Sequence, residues 1–456
     1  MTSGHKSDSE TAFDYLICRF FCFLKRKHGA SCMTAHIASR LPGDTDPLKI
    51  CLLTYRGNPT CGGQGVYIDY LSRALSDLGH NVDVISGPPY PELAVGVGLH
   101  KLPNLDLYNP NHLFRPASLI DLLTSPINQM ELLSMSAGGF PEPFTFGLRT
   151  FNYFRKKMPN YDIVHDNQCL SYGILGLSHL GFPTVATIHH PITVDRDVEI
   201  RSVGSLFKKL KARRWYSFLG MQKRVSRRLS HIITVSECSK RDISRDFKTS
   251  GRKFRVVPNG INTDFFYPLP HVKRSDNQIL VTSSADTPLK GLRYLLEAIA
   301  SIKSKRKIRL TVIGKPKKNG VIEGLVRKLG IKGCVRFTGR IEYEEFAYYY
   351  AKATMAVIPS LYEGFGMPAG EAMACGVPVI STVGGALPEV VGDAGILVPT
   401  ADSKALEHAI VSLLDNPDRC LQLGKAGLER VKSSFTWKHA AQKTVDVYRE
   451  AIDADR

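Results

Sequence analysis

The sequence predicts an α/β protein made of two facing doubly wound, Rossmann-like domains with a cleft between them. From Lys49 onward, short β-rich runs alternate with longer stretches of helical character, the pattern of parallel sheets with crossover helices. The alternation occurs as two series, separated by the Pro-containing segment 266–277. A chain of 456 residues is long enough for roughly two to four domains, each with its own core.

In the first series the expected strands are 49–54, 82–86, 162–165, 184–188 and 231–235, with a short run at Arg255-Val-Val. In the second they are Ile279-Leu-Val-Thr, Ile308 to Ile313, Val335-Arg-Phe-Thr, Met355-Ala-Val-Ile and Val377-Pro-Val-Ile, followed by helices over about 402–454. The expected boundaries are an N-terminal extension over 1–46, a first domain over 47–268 and a second over 269–434. A C-terminal helix over 435–456 is expected to pack back on the first domain. The extension shows neither strand nor helix period. It reads either as a mis-assigned start, with Met33 as the first residue, or, over Phe13 to Leu24, as a membrane-surface anchor with a basic flank.

Charge and cysteine usage narrow the function classes. Sixty Lys and Arg against 42 Asp and Glu leave a net charge of +18, which favours anionic partners without choosing among them. The ten cysteines are scattered, with no CxxC pair and no ligand-like cluster, so a reducing, cytoplasmic compartment is expected rather than a disulfide scaffold. The apolar run Leu16 to Leu24 is interrupted by Arg19 and is about half the ~20 residues of a spanning helix. Neither a transmembrane helix nor a cleaved signal is expected.

The stretch from Ser360 to Glu389 carries the richest chemistry. It reads as strand, glycine loop, helix, strand and second glycine loop, with Gly364, Gly366, Pro368, Gly384 and Gly385 at the turns. Glycines let backbone approach a ligand closely, and a helix start opened by Pro presents amides to a diphosphate. Glu363 lies in the loop and Glu371 on the following helix, where carboxylates can accept hydrogen bonds from sugar or ribose hydroxyls. The alternative is a turn residue and a helix-start residue favoured by the dipole.

With Glu363-Gly-Phe-Gly and Glu371 eight positions on, the sequence resembles the retaining GT-B glycosyltransferases of family 4. The resemblance covers nearly the whole chain after residue 48. It includes Gly62-Gly63-Gln64-Gly65, Gly79-His80-Asn81-Val82, Thr187-Ile188-His189, Val257-Pro258-Asn259-Gly260-Ile261, Lys290-Gly291 and Phe337-Thr338-Gly339. It implies a hexosyltransferase that is metal-independent, needs no cofactor and uses a UDP- or GDP-sugar as co-substrate. Glu363 would contact the transferred sugar, Glu371 the ribose, and Gly366 and Met367 would offer amides to sugar or diphosphate. Lys290 would neutralise the leaving diphosphate, Gly63 would close over the same phosphates, and His189 would contact the donor sugar. Ser284 joins this donor set. For His189 the alternative is a hydrogen-bonded strand-end histidine.

The chain departs from the family pattern at Ala285, where members usually place an Arg five residues before the lysine. Losing that donor leaves Arg293, Arg340, Arg56, Ser283 or Ser284 to replace it, and leaves room for a catalytically weakened GT-B protein acting as a basic membrane-binding partner. Between Arg201 and Arg228 stand ten Lys or Arg and no acid. There Lys208, Lys209, Lys211, Arg213, Arg214 and Trp215 are the acceptor or membrane candidates. Interleaved Leu and aromatic residues favour an anionic membrane and a lipid or lipid-linked acceptor, peripheral on the cytoplasmic membrane. A solvated helix face and a soluble sugar, sugar-phosphate or glycan acceptor are the alternatives. No nucleic acid partner is expected. Ser136 to Arg149, rich in aromatics and turn residues, is a second acceptor-side candidate, with an ordinary structural loop as the alternative. Asp195-Arg196-Asp197 offers a metal-binding pattern by chance spacing only, and no catalytic metal is expected. A dehydrogenase is disfavoured because neither glycine loop gives GxGxxG with a suitably spaced acid.

Overall fold

The computed structural model describes residues 46–58, 63–108, 122, 125–202, 204–283, 285–342 and 345–455. The extension 1–45, with Met33 and the segment Phe13 to Leu24, lies outside the described residues, as does Ser284.

Two parallel sheets organise these residues. In the first, strands run in the order β3-β2-β1-β4-β5-β6-β7. They are β1 (Lys49–Thr54), β2 (Asn81–Ser86), β3 (Gly98–Lys101), β4 (Ile163–Asn167), β5 (Thr184–Ile188), β6 (His231–Thr234) and β7 (Phe254–Val256). β1 pairs in parallel with β2 and with β4. The second sheet has the order β10-β9-β8-β11-β12-β13. Its strands are β8 (Gln278–Thr282), β9 (Arg309–Ile313), β10 (Val335–Phe337), β11 (Met355–Ile358), β12 (Val379–Thr382) and β13 (Ile396–Val398). β8 pairs in parallel with β9 and β11.

The inner strands are buried on both faces, as strands covered by helices on both sides are. β4, β5, β11 and β12 are buried at every residue. Against the first sheet pack Phe146, Phe151 and Phe154 of helix Glu142–Lys157. One face of the second is covered by Leu292, Leu295, Leu296 and Ile299 of helix Leu292–Lys303, whose apolar positions recur at helical spacing. The other face holds Tyr350, Ala372 and Met373.

The chain divides into two compact units, 46–187 with 214–232 and 446–455, and 188–213 with 233–445, among the described residues. Strands β3 and β13 were not expected. β3 is half-exposed and carries Gly and Lys, and β13 is three residues long, so neither shows the apolar run that marks a buried strand. In both sheets the strand order reverses beside the first strand, between β1 and β4 and between β8 and β11. Ligands of open α/β sheets bind beyond the carboxyl ends of the strands at such switch points.

Candidate active site

At the switch point of the second unit, the loops after β8 and β11 meet. Gly291 has φ +63 and a Cβ there would lie 1.9 Å from the Pro359 carbonyl, so only glycine lets the turn Pro288–Lys290 dock on the 359–361 segment. Leu361 N–H donates to the Leu289 carbonyl at 2.7 Å and holds the two together. Lys290 Nζ thereby stands 2.7 Å from Glu363 Oε1, and Ser360 Oγ donates to the same oxygen at 2.7 Å. The Glu363 side chain keeps 12% of its surface accessible and that of Lys290 31%, so the pair is open to a ligand.

The second glycine loop fixes the backbone of Glu363. Gly385 has φ +67, and its Cβ would fall 2.2 Å from the Glu363 carbonyl. That carbonyl accepts from Ala386 N–H at 2.8 Å, and Thr382 Oγ1 donates to the Ser360 carbonyl. Two loops that the sequence shows only as neighbours in order are thus one hydrogen-bonded frame.

Gly366, at φ +102, turns the chain into helix Met367–Ala374, which has Pro in its first turn and Met367 half-buried. Its amino-terminal end adjoins the loop that carries Glu363. Glu371 on this helix is half-buried and accepts from Tyr350 O–H at 3.2 Å. Desolvation pushes its carboxyl up to about 7, with the Tyr350 bond opposing. Tyr350 escaped the sequence reading because it lies outside the glycine loops, and Ser360, which opens the Ser360–Glu389 stretch, was given no role there. Ser283, after β8, is buried with a hydroxyl that has no hydrogen-bond partner. Buried hydroxyls are rarely left unpaired, so this one suits a ligand oxygen.

His189 follows β5 and belongs to the same unit. A Cβ at Gly364 would lie 2.9 Å from its carbonyl, and Ser239 Oγ lies 3.1 Å from both the His189 and Gly364 carbonyls. The structure therefore brings His189 beside the Glu363 loop. Gly63 is exposed at the start of helix Gly63–Asp77, with nothing within 4 Å of an added Cβ. Gly65 is the sterically obligatory glycine, since its Cβ would lie 1.9 Å from the Asn58 carbonyl.

Ala285 is buried, and Asp286 beside it accepts from Lys317 N–H at 2.5 Å, which gives that acid a loop-holding role. Of the replacements for the missing arginine, Arg293 is exposed and pairs with Glu297, while Arg56 pairs with Glu142 in the first unit. Arg340 is exposed. Ser283 alone of those described presents an unpartnered group after β8.

In the basic stretch, Lys208, Lys211, Arg213, Arg214 and Trp215 are exposed and Lys209 half-exposed on helix Leu206–Trp215, where Ala212 is the buried residue. Asp195 pairs with His190 at 2.8 Å and Asp197 with Arg196 at 2.7 Å. No helix among the described residues is long and apolar enough to cross a membrane. A cavity of about 440 Å³ on the second sheet, lined by Gln278, Arg309, Arg336 and Lys352, includes none of the residues of the switch-point loops.

The two sheets and the loop frame are those of a GT-B glycosyltransferase. Sucrose-phosphate synthase from Thermosynechococcus elongatus matches with a TM-score of 0.67 and 27% identity over 89% of this chain and 100% of that one. Anabaena HepE in complex with UDP and glucose matches with a TM-score of 0.64 and 16% identity over 88% and 100%, a likeness of fold. In sequence, the model of glycosyl transferases group 1 matches residues 267–430 and that of glycosyltransferase family 4 residues 130–265. The MMP α-(1→4)-mannosyltransferase of Mycolicibacterium hassiacum is 45% identical over 409 residues, 89% of this chain and 98% of the relative. The chain belongs to glycosyltransferase family 4.

Proposed function

We propose that the protein is a retaining mannosyltransferase that moves mannose from a nucleoside-diphosphate donor to a carbohydrate hydroxyl, forming an α-(1→4) bond. The observation that carries this reading is the 45% identity to a mannosyltransferase of that linkage over nearly the whole of both chains. The Lys290–Glu363 frame supplies chemistry for it. The anomeric carbon–oxygen bond to the diphosphate breaks, and the acceptor oxygen bonds to that carbon on the same face. The acceptor proton passes to the departing diphosphate. Lys290 holds the negative charge that develops there, the Gly366 and Met367 end of the helix adds its dipole, and Ser283 takes part of the missing arginine's role. Glu363 orients the sugar, Glu371 accepts from the ribose hydroxyls, and no metal is needed to balance these charges.

A lipid-linked acceptor at an anionic surface is the second reading, favoured by Leu206 and Phe207, 77% and 76% exposed among the basic residues. At about 100° per residue, however, the five basic residues of helix Leu206–Trp215 spread around its whole circumference, which separates no apolar face from a charged one.

The test incubates the full chain with GDP-mannose, UDP-glucose or ADP-glucose and an α-(1→4)-mannooligosaccharide, with the product linkage read by NMR. An α-(1→4)-mannosyl product, reduced about 100- to 1,000-fold in Lys290→Ala, is expected. Absence of transfer from every donor by folded protein would put the weakened GT-B protein ahead.

A further inference from the structure

In the first unit, two segments singled out separately in the sequence come together. Phe140 and Trp215 stack with ring centroids 5.1 Å apart at 27°. Tyr108 stands edge-on to Trp215 at 5.4 Å and lies 5.2 Å from Phe140, and Phe218 closes the far side of Phe140 at 5.6 Å. Gly138, at φ +75, and Gly139 turn the chain into Phe140 against the Arg214 side chain, and Tyr108 O–H donates to the Gly139 carbonyl at 2.8 Å. Trp215 keeps 37% of its surface exposed.

The rings have a polar rim. The Arg56 guanidinium lies 5.4 Å from the Tyr108 centroid and 5.5 Å from that of Phe140, and donates to Glu142, at 2.8 Å to Oε1. Arg56 follows the end of β1, the strand beside the first sheet's switch point. Sugar rings carry an apolar C–H face and a girdle of hydroxyls. The exposed Trp215 ring beside a guanidinium with 32% of its side chain accessible matches both halves of that surface, while the buried Glu142 holds the guanidinium in place.

We propose that Trp215, backed by Phe140 and Tyr108, forms a platform that receives a pyranose ring of the acceptor, with Arg56, oriented by Glu142, reading its hydroxyls. The inference rests on the glycosyl-transfer reading above and names the acceptor's chemical class as a neutral oligosaccharide. The arrangement takes Trp215 out of the membrane-facing set, because its ring is engaged by aromatic partners instead of standing free on the helix.

The sequence contains two tryptophans, and the other, Trp437, is buried, so tryptophan fluorescence reports on the platform. Titration of the full chain with α-(1→4)-mannotetraose is expected to give a saturable change that disappears in Trp215→Phe. In transfer assays Trp215→Ala is expected to raise the acceptor KM tenfold or more, with Trp215→Phe within about threefold and the donor KM within about twofold of wild type. A tetraose response that persists in Trp215→Phe, or an unchanged acceptor KM in folded Trp215→Ala, would overturn the platform. So would a response to phosphatidylglycerol vesicles with none to mannotetraose, maltotetraose or cellotetraose. If no donor supports transfer but an oligosaccharide gives the Trp215-dependent response, the platform stands and the mannosyl-transfer reading falls.

Discussion

Lys290 and Glu363 hold one another at 2.7 Å while Glu371 stands half-buried with one tyrosine donor, and in the proposed donor site this difference gives a pH dependence. Because desolvation raises the Glu371 carboxyl from its ordinary 4.5 to about 7, the folded protein holds this proton more tightly than the unfolded chain. That contribution to stability is full below the ordinary value and fades as pH rises through about 7. In the proposed ribose-binding role of Glu371, nucleotide binding would run the other way, since a carboxylate accepts from two ribose hydroxyls and a carboxylic acid cannot do so fully. Nucleotide affinity is expected to rise by up to about tenfold per pH unit towards pH 7 and then level off. Calorimetric titration across this range tests it, and Glu371→Gln should bind weakly with a flat profile. Gly385 gives a steric prediction. With φ +67 and a Cβ position 2.2 Å from the Glu363 carbonyl, Gly385→Ala should cost about 1–3 kcal/mol. A lowered thermal midpoint and weaker transfer should appear together, and an unaltered midpoint would contradict the close approach.

At the level of elements, a buried polar chain ties helix Trp437–Ala454 to the first sheet. Tyr67 O–H and Thr187 Oγ1 lie 3.1 Å apart, Thr187 Oγ1 and His165 Nε2 2.6 Å, and His165 Nδ1 and Tyr448 O–H 2.6 Å. Burial lowers the His165 imidazole to about 3, so the ring is neutral at neutral pH with one nitrogen donating and the other accepting. Stability from this neutral ring is present above the ordinary histidine range and is lost as pH falls towards 3. Tyr448→Phe strands a buried ring nitrogen and should destabilise by about 1–3 kcal/mol, read by denaturant melts at pH 7. The same helix shows why some elements were legible in the sequence. Its apolar positions recur with helical period, and the helix expected over 435–456 runs from Trp437 to Ala454. Tyr448 and His165, by contrast, meet across most of the chain, and no local pattern marks such a pair.

The whole molecule was legible to the extent that its signals were local. The alternation of strands and helices gave the two parallel sheets, and glycine spacing located the loop that carries Glu363. The close packing of Gly385 on Glu363 and the aromatic stack of Phe140 on Trp215 each join segments separated in sequence, and nothing local marks the unpartnered Ser283 hydroxyl, so these features emerge only on folding. The division into units has a further consequence. The chain passes from one unit to the other at 187/188, 213/214, 232/233 and 445/446. Those four points fall inside β5, helix Leu206–Trp215, β6 and helix Trp437–Ala454, respectively. A recombinant hybrid with a relative's unit would therefore need four splices, every one through a hydrogen-bonded element and none through a loop.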